Sequence, residues 1–297
     1  MKIKKYLEEY GLIHIILIPV VIFFLVYHIL PVIEMKIAFQ DYRIIGDNIF
    51  VGLKHFKYLF SSASFMQIIR NTLILSFLKI ILIFPIPIAL AFMINEIRNS
   101  KYRQFIQVSV YIPHFLSWVI IAGVWISFLS PSYGAVNRLV EMFGGESIDF
   151  LTSKAHIRGV MVVSEMWRSA GWDSILYLAA ILKIDKSLYE AANIDGANKL
   201  QSAIYITIPE IKNTIITVFI LNLGFFMNAG FDQVFNLMND SVISVVDILD
   251  TYAYRIGLVN GLYSVSTATS LFKGIIGFFL IITAHNIAKK VSGKGLW

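Results

Sequence analysis

The sequence predicts an all-α polytopic membrane protein, and three observations support this class. Of the 297 residues, 57% are hydrophobic and only 15% are charged, whereas soluble domains average about 45–50% apolar and about 25% charged residues. Six segments are long and apolar enough to cross a bilayer, and basic residues occupy alternate connections between them. The chain contains no cysteine, which argues against a secreted disulfide scaffold.

The six segments meet the length requirement for a transmembrane helix, which needs about 20 mostly apolar residues to cross about 30 Å of hydrocarbon. In chain order, spans one to six are residues 11–30, 72–94, 105–129, 159–182, 214–235 and 270–288. The fourth span is interrupted by Glu165, Arg168 and Asp173. It could therefore form one helix or two shorter helical pieces.

The first span is expected to stay in the mature protein rather than to be removed as a signal peptide. Its apolar run of about 20 residues is longer than the apolar core of such a peptide. The Pro31-Val32-Ile33 sequence that follows it offers no small-residue cleavage site.

Charged residues divide the connections into a basic side and an acidic side. The basic side holds Lys2, Lys4, Lys5, Arg98, Lys101, Arg103, Lys186, Lys199, Lys212, Lys289, Lys290 and Lys294. The acidic side holds Glu34, Asp41, Asp47, Glu141, Glu146, Asp149, Asp240, Asp247 and Asp250. By the positive-inside rule both termini are cytoplasmic. The net charge of +6 therefore reflects topology, and we expect membrane lipid rather than nucleic acid around the chain.

This topology predicts the organisation of the whole chain. The N-terminal cytoplasmic segment and span one occupy residues 1–30, and an extracytoplasmic loop occupies 31–71. A transmembrane core at 72–288 includes a cytoplasmic loop at 185–213, and a cytoplasmic tail follows at 289–297.

The cytoplasmic loop at 185–213 has the sequence pattern of two helices joined by a turn. Residues 188–192 favour helix, and Gly196 can supply a positive-φ stop. A second helical stretch begins near Lys199 and is predicted to end where Pro209 removes a backbone donor. Its alanines allow close approach of another surface. A protein partner could dock here, or the loop could pack under its own helical bundle.

A motif in this loop resembles the loop motif of ABC importer permeases. Glu190-Ala191-Ala192 is followed after three residues by Gly196 and, after nine more, by Ile206-Thr207-Ile208-Pro209. The family motif is EAA, three residues, G, nine residues, then I, one residue and LP, so Ile208 replaces the family's Leu. Asp195-Gly196-Ala197 further resembles the sugar-transporting branch of these permeases.

The resemblance covers nearly the whole chain. Segments similar to those of maltose-type permeases are Val51-Gly52-Leu53-Lys54-His55-Phe56, Asn71-Thr72-Leu73, Trp167–Tyr177 and Phe231-Asp232-Gln233-Val234-Phe235. Met238-Asn239-Asp240-Ser241 stands where the family has Gly-Gly-Pro. This departure, with residues 251–257 and the terminal Gly295-Leu296-Trp297, resembles the subgroup that imports larger or acidic oligosaccharides.

The resemblance implies a type I ABC importer permease in the bacterial cytoplasmic membrane. Such a subunit forms half of the translocation pathway for a carbohydrate, here an oligosaccharide. The implied partners are a second homologous permease, two cytoplasmic ATPase subunits and an extracytoplasmic sugar-binding protein. The loop would be a coupling helix that inserts into a groove on the ATPase, and its ATPase-coupling residues would be Glu190, Ala191, Ala192, Asp195, Gly196 and Ala197.

The chain itself is not expected to be an enzyme. Its sequence has no GxxxxGK[ST] phosphate loop, and the nearest match, Gly293-Lys294-Gly295, has no strand before it. ATP and Mg²⁺ are therefore expected in the partner ATPase subunits, with no cofactor bound by this chain. The six histidines are scattered and form no HExxH pair, so no metal site is predicted.

Polar and aromatic residues inside the spans are the candidates for contact with a sugar. Polar groups are costly within a bilayer, and aromatic faces stack on sugar rings. The candidate substrate pathway consists of Trp118, Trp125, Asn222, Phe225, Phe226, Asn228, Asp232 and Gln233. Alternatively, the asparagines make only interhelical hydrogen bonds, and the tryptophans anchor span ends at the membrane interface.

Four ionisable residues within the spans also need partners or water. Arg168 could pair with Asp173, or with Glu165 three residues earlier, and Lys79 could face the bundle interior or snorkel. We favour structural pairing over a proton relay, because these groups form no continuous chain of carboxylates through several spans.

Two other classes of protein are alternatives to the importer. A self-contained secondary transporter of a small polar solute usually has more spans and visible internal repeats, and this chain has six spans with no evident repeat. A polytopic membrane enzyme would need a constellation of titratable residues that the sequence does not show.

Overall fold

The structure is a computed structural model that describes residues 2–292 of the chain. The C-terminal motifs Gly293-Lys294-Gly295 and Gly295-Leu296-Trp297 lie outside these residues, as does Lys294. The regular secondary structure of the described residues is helical apart from one antiparallel pair of two-residue strands, β1 (Gln40–Asp41) and β2 (Ile49–Phe50). The predicted helical membrane fold is confirmed.

The chain divides into two compact units, Met1–Ser61 with Ala253–Phe272 and Ser62–Tyr252 with Lys273–Trp297. The helices before β1 are α1 (Lys2–Phe24) and α2 (Leu30–Glu34), and a π-helical turn joins them. After β2 come α3 (Lys54–Ser61), α4 (Ala63–Ile83), α5 (Pro85–Asn95), α6 (Ser100–Tyr111), α7 (Trp118–Phe128), α8 (Ala135–Met142) and α9 (Ile157–Ile181). The remaining helices are α10 (Lys186–Ile194), α11 (Lys199–Ser202), α12 (Ile208–Glu210), α13 (Lys212–Gly224), α14 (Phe231–Leu237), α15 (Ile243–Val246), α16 (Leu249–Tyr254) and α17 (Tyr263–Ser292).

In the first unit, Asp41 of the hairpin after span one forms contacts with two basic side chains. The Asp41 carboxylate accepts a hydrogen bond from Lys54 Nζ at 2.7 Å and lies 3.2 Å from His55 Nε2. The hydrogen bond from Lys54 lowers the pKa of Asp41 below its usual value. These contacts join the hairpin to the start of α3 at the protein surface.

Three helical runs in residues 2–292 are long and apolar enough to cross a membrane unaided: Tyr10–Phe39, Ala63–Asn95 and Tyr263–Ile287. Two bent pairs raise that number to five, Ser100–Phe115 with Trp118–Phe128 and Lys199–Glu210 with Lys212–Gly224. Helix α9 has more charged residues, but its 25 residues extend about 38 Å. With α9 included, these segments correspond to the six predicted spans.

The predicted third and fifth spans are wrong as single straight helices. Span three bends by 106° between Phe115 and Trp118, where Ser117 caps α7 by accepting a hydrogen bond from the Ile120 amide. In span five, α13 stops at Gly224 and α14 begins at Phe231, directly after Gly230, whose φ of +96° lies outside the helical region.

Two local predictions in the fourth and fifth span region also differ from the structure. Span four is one unbroken helix, α9, so the alternative of two helical pieces is wrong. Pro209 does not end the helix that begins at Lys199. It lies in the first turn of α12, where no backbone donor is needed, and the bend follows at Ile211.

Helix α9 is the centre of the second unit and joins two hydrophobic clusters. Its first part packs through Ile157, Val160 and Met161 into a cluster with α4, α7 and α14. Its last part packs through Tyr177, Leu178 and Ile181 against α5 and Ile211. Glu165, Arg168, Ser169 and Asp173 lie on α9 between these two clusters.

Close packing of α9 against α6 depends on Gly171. A Cβ at this position would overlap the main-chain carbonyl of Val110 on α6, and a main-chain atom cannot turn aside as a flexible side chain can. Gly159, on the same helix, has open space around the corresponding position.

We expect Gly171→Ala to destabilise the protein by about 1–3 kcal/mol or more, because overpacking forces the backbone to shift. Gly159→Ala is the matched control, and it should be neutral or stabilise the helix by up to about 1 kcal/mol. The unfolding temperatures of the two purified variants check this prediction. Equal unfolding temperatures would contradict it.

Candidate functional site

A cavity of about 800 Å³ lies between α4, α5, α9 and α13. Apolar walls come from the α4–α5 junction and from the turn that follows α13. Its polar lining consists of Ser76, Lys79, His114, Glu165, Arg168, Ser169, Asp173, Tyr177, Asn222 and Asn228. A cavity of this size, with few polar groups in an apolar wall, is typical of a small-molecule site.

Lys79 of α4 is held at one side of this cavity by three acceptors. Its Nζ donates to Gln233 Oε1 at 2.5 Å and to the Ala229 carbonyl at 2.6 Å, and it pairs with Glu165 Oε2 at 3.4 Å. The two charged side chains are 12% and 21% exposed. The sequence left the partner of Lys79 open, and the structure assigns Glu165 to it rather than to Arg168.

Gln233 links this ion pair to α9. It is fully buried, and its amide nitrogen donates to the Met161 carbonyl at 2.6 Å and to Ser164 Oγ at 2.7 Å. Gly230 allows the close approach of this segment, since a Cβ there would lie 2.8 Å from Lys79 Nζ. The network therefore joins α4, α9 and the start of α14.

Arg168 lines the same cavity but, unlike Lys79, it has no acidic partner among the described residues. Its guanidinium lies 5.3 Å from the centre of the Trp118 ring, and Nη2 donates to the His114 carbonyl at 3.4 Å. Its Nε is buried and has no hydrogen-bond partner among the described residues. The His114 ring stacks on Trp172 with 4.6 Å between centroids. Neither Asp173 nor Glu165 forms an ion pair with Arg168, so the predicted local pairing is wrong.

The predicted substrate-pathway residues divide into two groups. Asn222, Phe225, Phe226 and Asn228 line the cavity. The residues outside its lining are Trp118, Trp125, Asp232 and Gln233. Trp118 is buried beneath Arg168, Trp125 packs on the core cluster of α7 and α9, Asp232 is exposed and Gln233 is buried. Contact of any of these residues with substrate stays a prediction.

The cavity is also lined by four residues that were not predicted from the sequence as pathway residues: Ser76, His114, Ser169 and Tyr177. The sequence does contain a pattern that indicates Ser169 and Tyr177. Glu165, Ser169, Asp173 and Tyr177 recur every fourth residue, a spacing that places them on one face of a helix.

On the cytoplasmic loop, the motif residues form an exposed helix and turn. Asp185 caps α10 by accepting a hydrogen bond from the Ser187 amide at 3.0 Å, and this bond lowers the pKa of Asp185. The chain reverses at Gly196, whose φ is +79°, and the Ala197 amide donates to the Ala192 carbonyl. No residue of α10 is buried, and Ile194 is 87% exposed.

The six predicted coupling residues therefore lie at the surface of the chain. Exposed members are Glu190, Ala191, Asp195 and Gly196, whereas Ala192 and Ala197 are half-buried. The exposure leaves room for a protein partner, as the sequence predicts. Their contact with an ATPase stays a prediction.

Two polar contacts tie this loop to the helices beside it. Tyr189 Oη lies 2.7 Å from Thr207 Oγ1, and Lys199 Nζ pairs with Glu96 Oε2 at 2.5 Å. Glu96 caps the C-terminus of α5, and α5 continues from α4 into the wall of the cavity. The loop is therefore in contact with the end of α5 and with the helical turn before α12.

Residues 82–293 match the profile of the family described as "Binding-protein-dependent transport system inner membrane component". The chain is 40% identical over 299 residues to the polygalacturonan/rhamnogalacturonan transport system permease protein YteP of Bacillus subtilis (strain 168), covering 99% of this chain and 92% of that protein. It is also similar to a bacterial ABC transporter involved in the import of the acidic polysaccharide alginate, with a TM-score of 0.90, 36% identity, and 98% and 100% of the two chains covered. A second structure of a bacterial alginate ABC transporter, in complex with an alginate pentasaccharide-bound periplasmic protein, has a TM-score of 0.91 and 36% identity over 100% of both chains.

Proposed function

This chain belongs to the family of binding-protein-dependent transport system inner membrane components, and we propose that it forms one half of the pathway through which an ATP-driven importer carries an oligosaccharide. It is a multi-pass membrane protein and a sugar ABC transport permease. The observation that carries the proposal is the similarity of the whole chain to chains of alginate importers, at 36% identity.

The proposed importer contains a second homologous permease, which completes the pathway, and two cytoplasmic ATPase subunits. ATP and Mg²⁺ bind to those ATPase subunits, since this sequence has no phosphate-binding loop. An extracytoplasmic protein delivers the sugar. The complex of an alginate transporter with a sugar-bound periplasmic protein supports this last partner.

In the proposed mechanism, the exposed helix α10 and the turn at Gly196 dock on an ATPase subunit. Closure of the ATPase pair on ATP moves this loop. The contacts of Lys199 with Glu96 and of Tyr189 with Thr207 pass the motion to the helices around the cavity. Rigid-body motion of helices then exposes the cavity to one side of the membrane and afterwards to the other.

We expect a tagged copy of the chain, purified from its native membrane, to bring down an ATPase subunit and a second permease. The purified complex in proteoliposomes should take up oligosaccharide only with ATP and the binding protein. Vesicles loaded with a non-hydrolysable ATP analogue are the control and should show no uptake. Uptake by this chain alone, without ATP, would contradict the proposal and favour a secondary transporter.

A further inference from the structure

Lys79 and Arg168 both line the cavity, but they differ in how many of their N–H donors make hydrogen bonds. The Lys79 ammonium has three N–H donors, and three acceptors lie within 3.4 Å of it. It is therefore committed to holding α4, α9 and the start of α14 together. A ligand could recruit Lys79 only by breaking these contacts.

The Arg168 guanidinium is left with donors to spare. It has five N–H donors, of which one makes a long bond of 3.4 Å to the His114 carbonyl, and its buried Nε has no partner in the described part of the chain. Glu165, the nearest acid in sequence, is occupied by Lys79. Arg168 is half-buried and lines the cavity, so its remaining Nη donors are open to a ligand.

The surroundings of Arg168 hold the guanidinium in place without satisfying it. The Trp118 ring, 5.3 Å from the guanidinium carbon, supports it through a cation–π contact, which uses none of the N–H donors. The guanidinium is a planar fork that matches a carboxylate with two parallel hydrogen bonds, and such charge-assisted bonds are about twice as strong as neutral ones.

We propose that Arg168 binds a carboxylate of the transported sugar, which makes it the residue that selects oligosaccharides containing uronic acid over neutral ones. This inference rests on the proposed importer function. Asp173 and Asn222, which line the same cavity, are placed to bond the hydroxyls of the sugar, and Phe225 supplies an apolar face for its ring. This selection by the permease for oligosaccharides containing uronic acid acts in addition to the substrate selectivity of the binding protein.

The test uses the complete importer in cells, with the variants Arg168→Gln and Arg168→Lys and the control Arg138→Gln. Arg138 is an exposed residue of α8 outside the cavity lining, so its variant loses the same charge elsewhere. The cells receive two mixtures of short oligosaccharides of equal length range, one from digested uronic-acid polymers and one from digested neutral polymers. Mass spectrometry measures uptake, and the membrane level of each variant is measured in parallel.

Arg168→Gln is expected to lower uptake from the acidic mixture by at least about tenfold, since it removes a charge-assisted pair of bonds. Arg168→Lys should recover part of that loss, and uptake after Arg138→Gln should equal that of the wild type. The binding protein is identical in all strains, so a changed ratio of acidic to neutral uptake reflects the permease.

Two results would overturn the inference and leave the importer function intact. One is uptake by the wild type from the neutral mixture alone, and the other is an equal loss of acidic and neutral uptake in both Arg168 variants. If the wild type takes up sugar from neither mixture, the proposed function fails together with the inference.

Discussion

Replacing Glu190 with lysine, or Gly196 with valine, is expected to abolish ATP-driven uptake while the protein stays in the membrane at its normal level. Glu190 is exposed on α10, so its charge is available to a partner. Charge reversal in a docked interface costs several kcal/mol, because like charges are then brought together. We therefore expect the ATPase subunit to dissociate from the Glu190→Lys complex during purification.

The Gly196 variant acts through the backbone rather than through charge. Gly196 has a φ of +79°, and no atom of another residue lies near the position that a Cβ would occupy. Valine is therefore strained by its own backbone, at a cost of about 1–3 kcal/mol, and the strain turns α10 away from α11. The expected result is a folded permease whose docking helix points in the wrong direction.

Matched controls for both changes lie on the other side of the predicted topology. Gly46 lies on the hairpin after span one, has a φ of +96° and, like Gly196, has open space where a Cβ would lie. Gly46→Val therefore introduces the same kind of backbone strain as Gly196→Val. Glu141→Lys reverses an exposed charge on α8. Both controls should keep more than about half of the uptake. Glu141→Lys is an exposed substitution, which usually costs less than about 0.5 kcal/mol, and the strain of about 1–3 kcal/mol from Gly46→Val falls outside the cytoplasmic loop. Undiminished uptake in Glu190→Lys or Gly196→Val would refute the coupling assignment of this loop.

The cytoplasmic loop was predictable in detail because its structure is local. Asp185 caps α10, Gly196 supplies the positive φ and Asn198 opens a capping box with Gln201, and each of these acts within four residues of chain. Only the end at Pro209 was misplaced. A proline is tolerated in the first turn of a helical segment, and the sequence does not show that a new segment begins there.

The cavity was predictable only in part because it depends on contacts between distant segments. Hydropathy identified the apolar stretches, but it carries no information on the bend between Phe115 and Trp118 or on the turn that ends at Gly230. That bend leaves Trp118 under Arg168 rather than in the cavity. The partner of Lys79 lies 86 residues away, and no local spacing rule can find it.

Breaking the ion pair of Lys79 with Glu165 is expected to cost much more than breaking an exposed pair in the same chain. Lys79→Met leaves the carboxylate of Glu165 without its cation in a setting where both side chains are largely buried. Removal of one partner from a buried pair costs about 3–5 kcal/mol. It also takes the donor away from Gln233 Oε1 and from the Ala229 carbonyl.

The exposed pair of Lys54 with Asp41 provides the control, since these side chains are 61% and 35% exposed. Lys54→Met should cost about 0–1 kcal/mol, as is typical of surface ion pairs. The unfolding temperatures of the two purified variants measure the difference. A Lys79→Met variant as stable as Lys54→Met would contradict the assignment of Lys79 to the packing of α4 against α9.

The double variant Lys79→Met/Glu165→Met separates a role in stability from a role in transport. Replacing both members of a buried pair with apolar residues is often neutral or stabilising, so we expect the double variant to recover most of the lost stability. If uptake recovers with it, the pair serves to hold the helices around the cavity. Arg168 makes only one long hydrogen bond in the described part of the chain. It is then the cation that we propose to bind the sugar, and stability recovered elsewhere does not replace that contact.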